Sequence, residues 1–445
     1  MVHISHVLYE VIWVRQEKYK SSQYNVFHQD GELQYIWNTY SNALLVLDKK
    51  DQEYLQAFSG IDDNSTTFNI LKSNGFIVYE KLDEFGRICL EEKQEYFTYN
   101  PDYVEILIIL GMKCNCKCSY CFQTTQAADL SAVMTEETAR QVSEYICEQL
   151  KKNKNAKKLN ITWFGGEPLL YLDTMEIISR KLIEYTQQNN IEYMAGVPTN
   201  GLLLDKKCFA KLQELHIKEI IVTIDGMRNV HCISKGMTPE QFDRIIDNIV
   251  YVIGKTRFMI RLNIPNNDVN DAIAIADYLY NKRGLLGKVY LQFAYLCDYT
   301  LSPMASQKAF VNYVHNYSIW ADYLYDHYGI HVESQGRIPK RCYRAGVDRP
   351  CISPLGELYS CLQYAGNKDK VIGNVWQGRF FNDAESIFYT TIDLPSRKKC
   401  HSCNYLPICM GECMKDCTTG IVRRDCNSNK KLWLKLKLLK EGIRI

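Results

Sequence analysis

Short apolar runs alternate with amphipathic stretches between residues 98 and 300. In Thr135–Lys152, Ala139, Val142, Ile146 and Leu150 recur at helical spacing. Six apolar strands separated by helices predict a parallel sheet covered by helices, either a partial (β/α)6 barrel of the TIM type or a doubly wound sheet. The predicted strands are Glu105–Leu110, Leu159–Phe164, Tyr193–Val197, Ile220–Ile224, Phe258–Ile264 and Val289–Tyr295.

Helix signals also mark other parts of the chain. A helix is predicted to begin at Thr238, because Pro239 occupies its first position and Gln241 completes a capping box. Ala305–Tyr328 has the pattern of one long helix, within a bridging segment that spans residues 301–341. The last segment, residues 429–445, has leucines at helical spacing among lysines, and we expect a terminal helix that closes the core.

The first 95 residues have a different pattern, that of a small α+β module with the element order of a winged helix. An Asp30-Gly31 turn between two apolar runs predicts a hairpin. A helix and a second hairpin are predicted to follow. The segments are Tyr24–His28 and Leu33–Asn38 for the first hairpin, Lys49–Phe58 for the helix, and Phe76–Tyr79 with Arg87–Leu90 for the second hairpin.

The composition of the 445 residues is that of a core-forming protein, with 46% hydrophobic and 23% charged residues. Its 53 basic and 51 acidic side chains nearly cancel, which argues against nucleic acid as a partner. Met1–Ile12 lacks the pattern of a signal peptide, and no apolar run is long enough for a membrane span. We therefore expect a cytoplasmic protein without a membrane partner, and a total of 18 cysteines in such a protein indicates metal binding rather than disulfides.

Four of these cysteines lie in one loop directly after the first predicted strand of the barrel. Cys114, Cys118 and Cys121 are spaced Cys-x3-Cys-x2-Cys, and three thiolates from one loop can hold three corners of a four-iron cluster. The fourth iron would then be open to another ligand. Structural zinc normally takes four protein ligands, and no fourth partner lies at zinc-finger spacing. Cys116 leaves other ligand pairs open.

The next three strands end in polar, glycine-rich segments. These segments are Gly165-Gly166-Glu167, Thr199-Asn200-Gly201 and Asp225-Gly226. Paired glycines let backbone groups approach a ligand closely, and a carboxylate can bind an ammonium group. Because active sites of parallel barrels lie at the carboxyl ends of the strands, a barrel places all these residues around one mouth.

The three-cysteine loop, with an aromatic residue before its last cysteine, resembles that of the radical S-adenosylmethionine (radical SAM) enzymes. The Gly165-Gly166-Glu167-Pro168 segment is similar to the second signature of that superfamily, which contacts the amino group of S-adenosylmethionine. The resemblance implies that the methionine moiety chelates the open iron, that Tyr120 lies near the adenine, and that Thr199 and Asn200 face the ribose and methionine.

One segment departs from the pattern of the family. Relatives often carry Asp-Gly, then His-Asp, then an arginine that helps to bind the methionine carboxylate. This chain has Asp225-Gly226, then His231-Cys232, then Lys235. Lys235 and Arg261 are therefore competing candidates for the carboxylate contact.

The cysteine-rich tail, residues 342–428, resembles the SPASM extension of radical SAM enzymes that modify peptides. The resemblance implies two auxiliary clusters, and thus three [4Fe-4S] clusters in all. Cys351 is the candidate that would complete the first auxiliary cluster, and Cys417 competes with Cys426 in the second. The implied ligands are Cys342, Cys361 and Cys413 for the first auxiliary cluster, and Cys400, Cys403, Cys409 and Cys426 for the second.

These resemblances imply a peptide maturase with a radical SAM barrel over residues 98–300. Such an enzyme cleaves S-adenosylmethionine reductively, and the resulting 5′-deoxyadenosyl radical abstracts hydrogen from its substrate. We expect a thioether or carbon–carbon cross-link in a ribosomally made precursor, whose leader binds residues 1–95, and a flavodoxin or ferredoxin as electron donor. The alternatives are an anaerobic sulfatase-maturing enzyme, which forms formylglycine, and a non-catalytic zinc scaffold.

Overall fold

A computed structural model of the chain describes residues 18–47, 65–96, 102–123, 131–297, 301–333, 337, 349–379, 398–411 and 425–444. These residues form two compact units. The first unit combines the described residues of Met1–Leu90 with Arg337 and with the described part of Arg397–Cys409. The second unit contains the remaining residues.

The first predicted hairpin is confirmed. Strands β2 and β3 pair antiparallel from Asn25↔Asn38 to Asp30↔Leu33, and Gly31 makes the turn with a φ of +57°. The helix predicted at residues 49–58 lies outside the described residues. The elements of this part of the chain are β1 (Tyr19–Ser21), β2 (Asn25–Asp30), β3 (Leu33–Asn38), β4 (Leu44–Leu47), α1 (Thr66–Ser73), β5 (Ile77–Tyr79) and α2 (Glu84–Tyr96).

The second predicted hairpin is wrong. Strand β5 pairs with β1, and Arg87–Leu90 lies within helix α2. The buried side chains of Ile88, Cys89 and Glu92 follow helical spacing, which the apolar run alone did not reveal. In a half-buried strand, buried and exposed side chains alternate. In this segment the buried side chains instead form one stripe along the side of a helix.

The second unit contains the six predicted strands, all parallel, in the order β6-β7-β8-β9-β10-β11 across the sheet. The capping box predicted at Thr238 is present. The elements in chain order are β6 (Tyr103–Ile109), α3 (Glu136–Lys152), β7 (Lys158–Phe164), α4 (Leu172–Gln188), β8 (Glu192–Thr199), α5 (Lys206–Glu214), β9 (Ile217–Ile224), α6 (Arg228–Lys235), α7 (Pro239–Val252), β10 (Arg257–Leu262), α8 (Val269–Asp277) and β11 (Tyr290–Phe293).

These strands form the arc of a partial barrel. Strand β6 pairs with β7 on one side and with a tail strand on the other, so that it does not meet β11. Side chains such as Ile106, Ile161 and Val197 point from the strands into the helix layer and form the main core. Short turns of other helical types occur at Pro168–Tyr171, Pro265–Asn267, Tyr278–Lys282, Leu362–Tyr364 and Lys368–Lys370.

The elements after the barrel extend this sheet and close its core. The predicted long helix is confirmed as α9, whose Tyr317 and Trp320 pack on Phe293 of β11. The terminal helix begins at Cys426, earlier than predicted, because Asp425 caps it. No helix among the described residues is long and apolar enough to cross a membrane. The elements are α9 (Pro303–Tyr328), β12 (Cys351–Ile352), β13 (Glu357–Tyr359), β14 (Gly373–Asn374), β15 (Gly378–Arg379), α10 (Lys398–His401), α11 (Leu406–Cys409) and α12 (Cys426–Lys440).

Candidate functional site at the carboxyl ends of the barrel strands

The loop of residues 111–122, called here the cluster loop, leaves β6 and lies against the end of β7. The N–H groups of Gly166 and Glu167 donate to the carbonyl oxygens of Gly111 (2.9 Å) and Lys113 (3.1 Å). A Cβ on Gly166 would lie 2.2 Å from the oxygen of Lys113, and one on Gly165 would lie 2.4 Å from that of Gly111. Sequence reasoning expected these glycines to approach a ligand, whereas their nearest neighbour in the structure is the backbone of the cluster loop.

Glu167 joins the ends of β7 and β8. Its carboxylate is buried and accepts hydrogen bonds from the hydroxyl of Thr199 (2.7 Å) and the N–H groups of Asn200 (2.8 Å) and Leu169 (3.0 Å). Burial raises the pKa of this carboxyl above its usual range. Both of its oxygens have partners within the protein, so Glu167 organises the mouth whether or not it also contacts an amine.

Two further side-chain contacts hold the cluster loop at the barrel mouth. The amide of Asn200 donates to Oδ1 of Asn115 (2.7 Å). The hydroxyl of Tyr120 donates to Oδ1 of Asp225 (3.0 Å), a carboxylate that is wholly buried at the end of β9. The structure thus brings the predicted residues Tyr120, Glu167, Asn200 and Asp225 together around the cluster loop.

Helix α6 supplies the next contacts. The carbonyl oxygens of Lys235 and Ser234 accept hydrogen bonds from the N–H groups of Lys117 (2.8 Å) and Ser119 (3.1 Å). The hydroxyl of Ser234 donates to Oδ2 of Asp225 (2.6 Å). The carboxyl-terminal turn of α6 is therefore a second support for the cluster loop.

The two candidates for the carboxylate contact have different surroundings. Lys235 is buried, and its ammonium donates to Oγ1 of Thr223 (2.5 Å) and lies 3.5 Å from Oδ1 of Asp225. Burial opposes the charge on the ammonium, but the combined effect of the Asp225 carboxylate and the nearby Cys118 and Cys116 outweighs burial and raises the pKa of Lys235. Arg261 is exposed, and its Nε donates to Oδ1 of Asn263 (3.1 Å). Of these two candidates, Lys235 is the buried cation beside the cluster loop.

Sequence reasoning gave His231 no role in the site. Its Nδ1 accepts the backbone N–H of Asp225 (3.1 Å), which assigns the proton of the neutral ring to Nε2. The ring is buried edge-to-face against Phe242, and burial lowers the pKa of His231 to about 3. The position of His231, six residues after Asp225 on an amphipathic helix, was the available signal.

In the cluster loop, the thiol pKa of Cys116 is shifted in the opposite direction from the thiol pKa values of Cys114 and Cys118. None of the four thiols in this loop forms a disulfide, and Cys116 shares hydrogen bonds with both Cys114 and Cys118. Hydrogen bonding from Cys116 lowers the pKa of Cys114 to about 7 and also lowers the pKa of Cys118, whereas these bonds raise the pKa of Cys116 itself. This pattern favours Cys114 and Cys118 as thiolates and Cys116 as a thiol.

Within the described residues, no three Cys, His, Asp or Glu side chains converge closely enough to bind one metal ion. A four-iron cluster holds its cysteines farther apart than a single ion does, because each thiolate binds a different iron. The thiols of Cys114, Cys118 and Cys121 all lie on the cluster loop, exposed or partly exposed, and thiolates are the usual ligands of four-iron clusters.

The tail brings together two of its predicted ligands. Cys351 on β12 pairs with Tyr359 on β13, and Cys361 follows two residues later with extended backbone angles. Diagonal neighbours on one face of such a ladder lie about 7–8 Å apart. Cys351 and Cys361 therefore share a face, in a cluster of buried side chains beside Leu107 of β6.

The other predicted tail ligands are distributed differently. Cys342 and Cys413 lie outside the described residues, as does the competing Cys417. Cys400, Cys403 and Cys409 belong to the first compact unit, and Cys426 belongs to the second. The assignment of all these residues as cluster ligands stays a prediction.

Residues 108–279 match the model of the Radical SAM superfamily. The radical SAM cyclopropyl synthase TigE of Paramaledivibacter caminithermalis is 22% identical to the chain, over 90% of the chain and 88% of the synthase. A probable GTP 3′,8-cyclase of Methanococcus maripaludis is 29% identical over 37% of this chain and 52% of the cyclase. The similarity to the synthase thus extends well beyond the barrel.

The fold is similar to that of solved structures. Native anSMEcpe with bound AdoMet superimposes with a TM-score of 0.56 and 17% identity, over 76% of this chain and 97% of that one. Native anSMEcpe with bound AdoMet and the Kp18Cys peptide gives a TM-score of 0.55 and 18% identity, over 77% of this chain and all of that one. These matches support the partial barrel.

Replacement of Gly166 by alanine is expected to displace the cluster loop, since the added Cβ would lie 2.2 Å from the backbone oxygen of Lys113. Overpacking of this kind costs about 1–3 kcal/mol of stability. We expect Gly166→Ala to lose most of the iron held by the cluster loop after anaerobic reconstitution, which is about one third of the iron per chain if all three four-iron clusters form. The control is Gly196→Ala, whose Cβ would make only an ordinary 3.5 Å contact with Glu219. Equal iron in both variants would contradict the prediction.

Proposed function

The chain is a radical SAM enzyme, and we propose that it modifies a ribosomally made precursor peptide by installing a thioether or a carbon–carbon cross-link. The observation that carries the peptide assignment is the edge strand β4, which pairs with β3 alone among the described residues. An open strand edge in a separate module before the barrel suits the capture of an extended peptide.

The superfamily implies one four-iron cluster and S-adenosylmethionine. We propose that Cys114, Cys118 and Cys121 hold that cluster. Together with S-adenosylmethionine, that cluster would supply the radical chemistry that removes a hydrogen atom from the substrate, and a flavodoxin or ferredoxin would supply the electrons. The protein contributes position and the exclusion of water, because Glu167, Asp225 and Lys235 are all buried around the cluster loop.

We assign the methionine carboxylate to Lys235 rather than to Arg261. The buried ammonium of Lys235 lies in surroundings where an ion pair is much stronger than at the exposed site of Arg261. Tyr120, Thr199, Asn200 and Asp225 are proposed to face the adenosine and methionine groups, since they line the same mouth.

Lys235→Met is expected to weaken the binding of S-adenosylmethionine by at least about tenfold, the cost of losing one charged hydrogen bond. Lys235→Arg keeps the charge and should bind within a few-fold of the wild type. Arg261→Met should leave the affinity nearly unchanged. Equilibrium binding to the anaerobically reconstituted enzyme measures all three. A large loss in Arg261→Met with none in Lys235→Met would reverse the assignment.

We propose two auxiliary clusters in the tail. The shared face of Cys351 and Cys361 supports Cys351 as a ligand of the first cluster, together with Cys342 and Cys413. Cys400, Cys403, Cys409 and Cys426 are proposed for the second. With Cys351 included, the first auxiliary cluster has a full set of four protein ligands.

The backbone of β4 gives the peptide site a specific geometry. The N–H of Asn38 donates to the oxygen of Ala43 (2.9 Å), and inward and outward N–H groups alternate along an antiparallel pair. Leu45 therefore faces β3, whereas the N–H groups of Leu44 and Val46 point to the free edge. The side chain of Val46 is also exposed.

Val46→Pro should weaken leader binding by about tenfold or more, because proline removes an outward N–H without breaking the β3–β4 ladder. Val46→Ala keeps that N–H and serves as the control. Fluorescence anisotropy with the candidate precursor encoded nearest to this gene measures the affinity. Tight binding by Val46→Pro would refute strand addition at this edge.

The name of the relative that spans 90% of the chain, a cyclopropyl synthase, favours formation of a carbon–carbon bond. Mass spectrometry of the reacted precursor should show the loss of two hydrogen atoms, with every cysteine thiol still open to alkylation. A blocked thiol would indicate a thioether instead. Conversion of a Cys or Ser to formylglycine would support the sulfatase-maturing alternative and overturn the cross-link.

A further inference from the structure

The segment of residues 398–409, called here the cysteine arm, carries Cys400, Cys403 and Cys409. It belongs to the same compact unit as the N-terminal module, although about 300 residues separate the two in sequence. The arm consists of two four-residue helices, α10 and α11, joined by a turn. Helices of one turn are not stable by themselves, so the shape of the arm depends on what it packs against.

The arm is joined to the N-terminal module by hydrogen bonds. The hydroxyl of Thr39, which is wholly buried, donates to the backbone oxygen of Asn404 (2.5 Å). The side-chain amide of Asn404 donates to the backbone oxygen of Asn25 (3.4 Å). These bonds hold the residue that directly follows Cys403.

Aromatic contacts lie on either side of these hydrogen bonds. The rings of Trp37 and Tyr405 meet edge-to-face with their centroids 5.9 Å apart, and both side chains are buried. The rings of Phe85 and His401 lie 4.4 Å apart. The module thus contacts residues next to two of the three cysteines.

The register of the sheet explains why Trp37 is available for this contact. Ile36 is directed to the face that packs on Phe68 and Leu71 of α1. Trp37 is the next residue of β3, so it points to the opposite face. Val26 of β2 and Leu44 of β4 pair with Trp37 and share that face. One face of the sheet therefore packs on α1, and the other meets the arm.

We propose that the N-terminal module holds the thiols of the cysteine arm in place, so that Trp37, Thr39 and Phe85 are positioning residues for the auxiliary cluster predicted at Cys400, Cys403 and Cys409. Thiolates bind a cluster tightly only when their geometry is held by surrounding contacts. This second role of the module would apply with any substrate, and it depends on the proposed auxiliary cluster and not on the peptide assignment.

The test compares anaerobically reconstituted full-length variants. The electron paramagnetic resonance signal that Cys403→Ser removes from the dithionite-reduced wild type identifies the cluster of the arm. Thr39→Val deletes the hydroxyl at nearly constant shape and leaves the oxygen of Asn404 without that donor. Thr39→Ser keeps the hydroxyl and is the matched control. Phe85→Leu tests the contact with His401 at a half-buried position that the core of the module does not need.

Thr39→Val should release iron from this cluster to a ferrous chelator about fivefold faster than the wild type, as expected for one buried hydrogen bond. The electron paramagnetic resonance signal of the cluster of the arm should also be weaker in Thr39→Val. Phe85→Leu should show the same changes, and Thr39→Ser should behave as the wild type. Wild-type signals and release rates in both Thr39→Val and Phe85→Leu would overturn the proposal. An unchanged spectrum and iron content in Cys403→Ser would overturn it as well, whereas peptide affinity would be unaffected by that result.

Discussion

The close approach of the Gly165-Gly166 segment to the backbone of the cluster loop is the constraint on which the candidate site depends. No side chain fits between the two segments, so their backbone groups bond directly, through Gly166 N–H to Gly111 and Glu167 N–H to Lys113. Once this contact is made, Glu167 can reach Thr199 and Asn200 at the end of the next strand. The backbone contact at these two glycines therefore sets the position of Glu167 and, through it, of the neighbouring strand end at the barrel mouth.

The same loop is held on its other side by helix α6. Carbonyl oxygens at the end of this helix accept N–H groups of the loop, and Asp225 accepts hydrogen bonds from Tyr120 and Ser234. Nδ1 of His231 accepts a hydrogen bond from the backbone N–H of Asp225 and so fixes that backbone. The loop that carries the three proposed cluster ligands is in this way held by the ends of β7, β8 and β9 and by one helix end, which limits the cost of ordering it.

The three-stranded sheet of the N-terminal module has two proposed tasks that use different parts of it. Its free edge at β4 offers outward N–H groups to a peptide, and its Trp37 face meets the cysteine arm. Because edge and face involve different groups, the two tasks do not compete for the same atoms. Both tasks use strands β3 and β4 of the same sheet.

The six barrel strands, the long helix and the capping box at Thr238 were predictable from the sequence, because each depends on local periodicity or on neighbouring residues. It also placed Glu167, Asn200 and Asp225 at one mouth, since parallel strands end on the same side. It misplaced Arg87–Leu90, where the three apolar residues Ile88, Cys89 and Leu90 fit a strand as well as a helix. Three contacts became visible only in the folded chain: Gly166 with the cluster loop, His231 with the backbone of Asp225, and the cysteine arm with Trp37. These contacts join residues far apart in the chain, and the spacing of a sequence carries no information about which distant backbone a given side chain will meet.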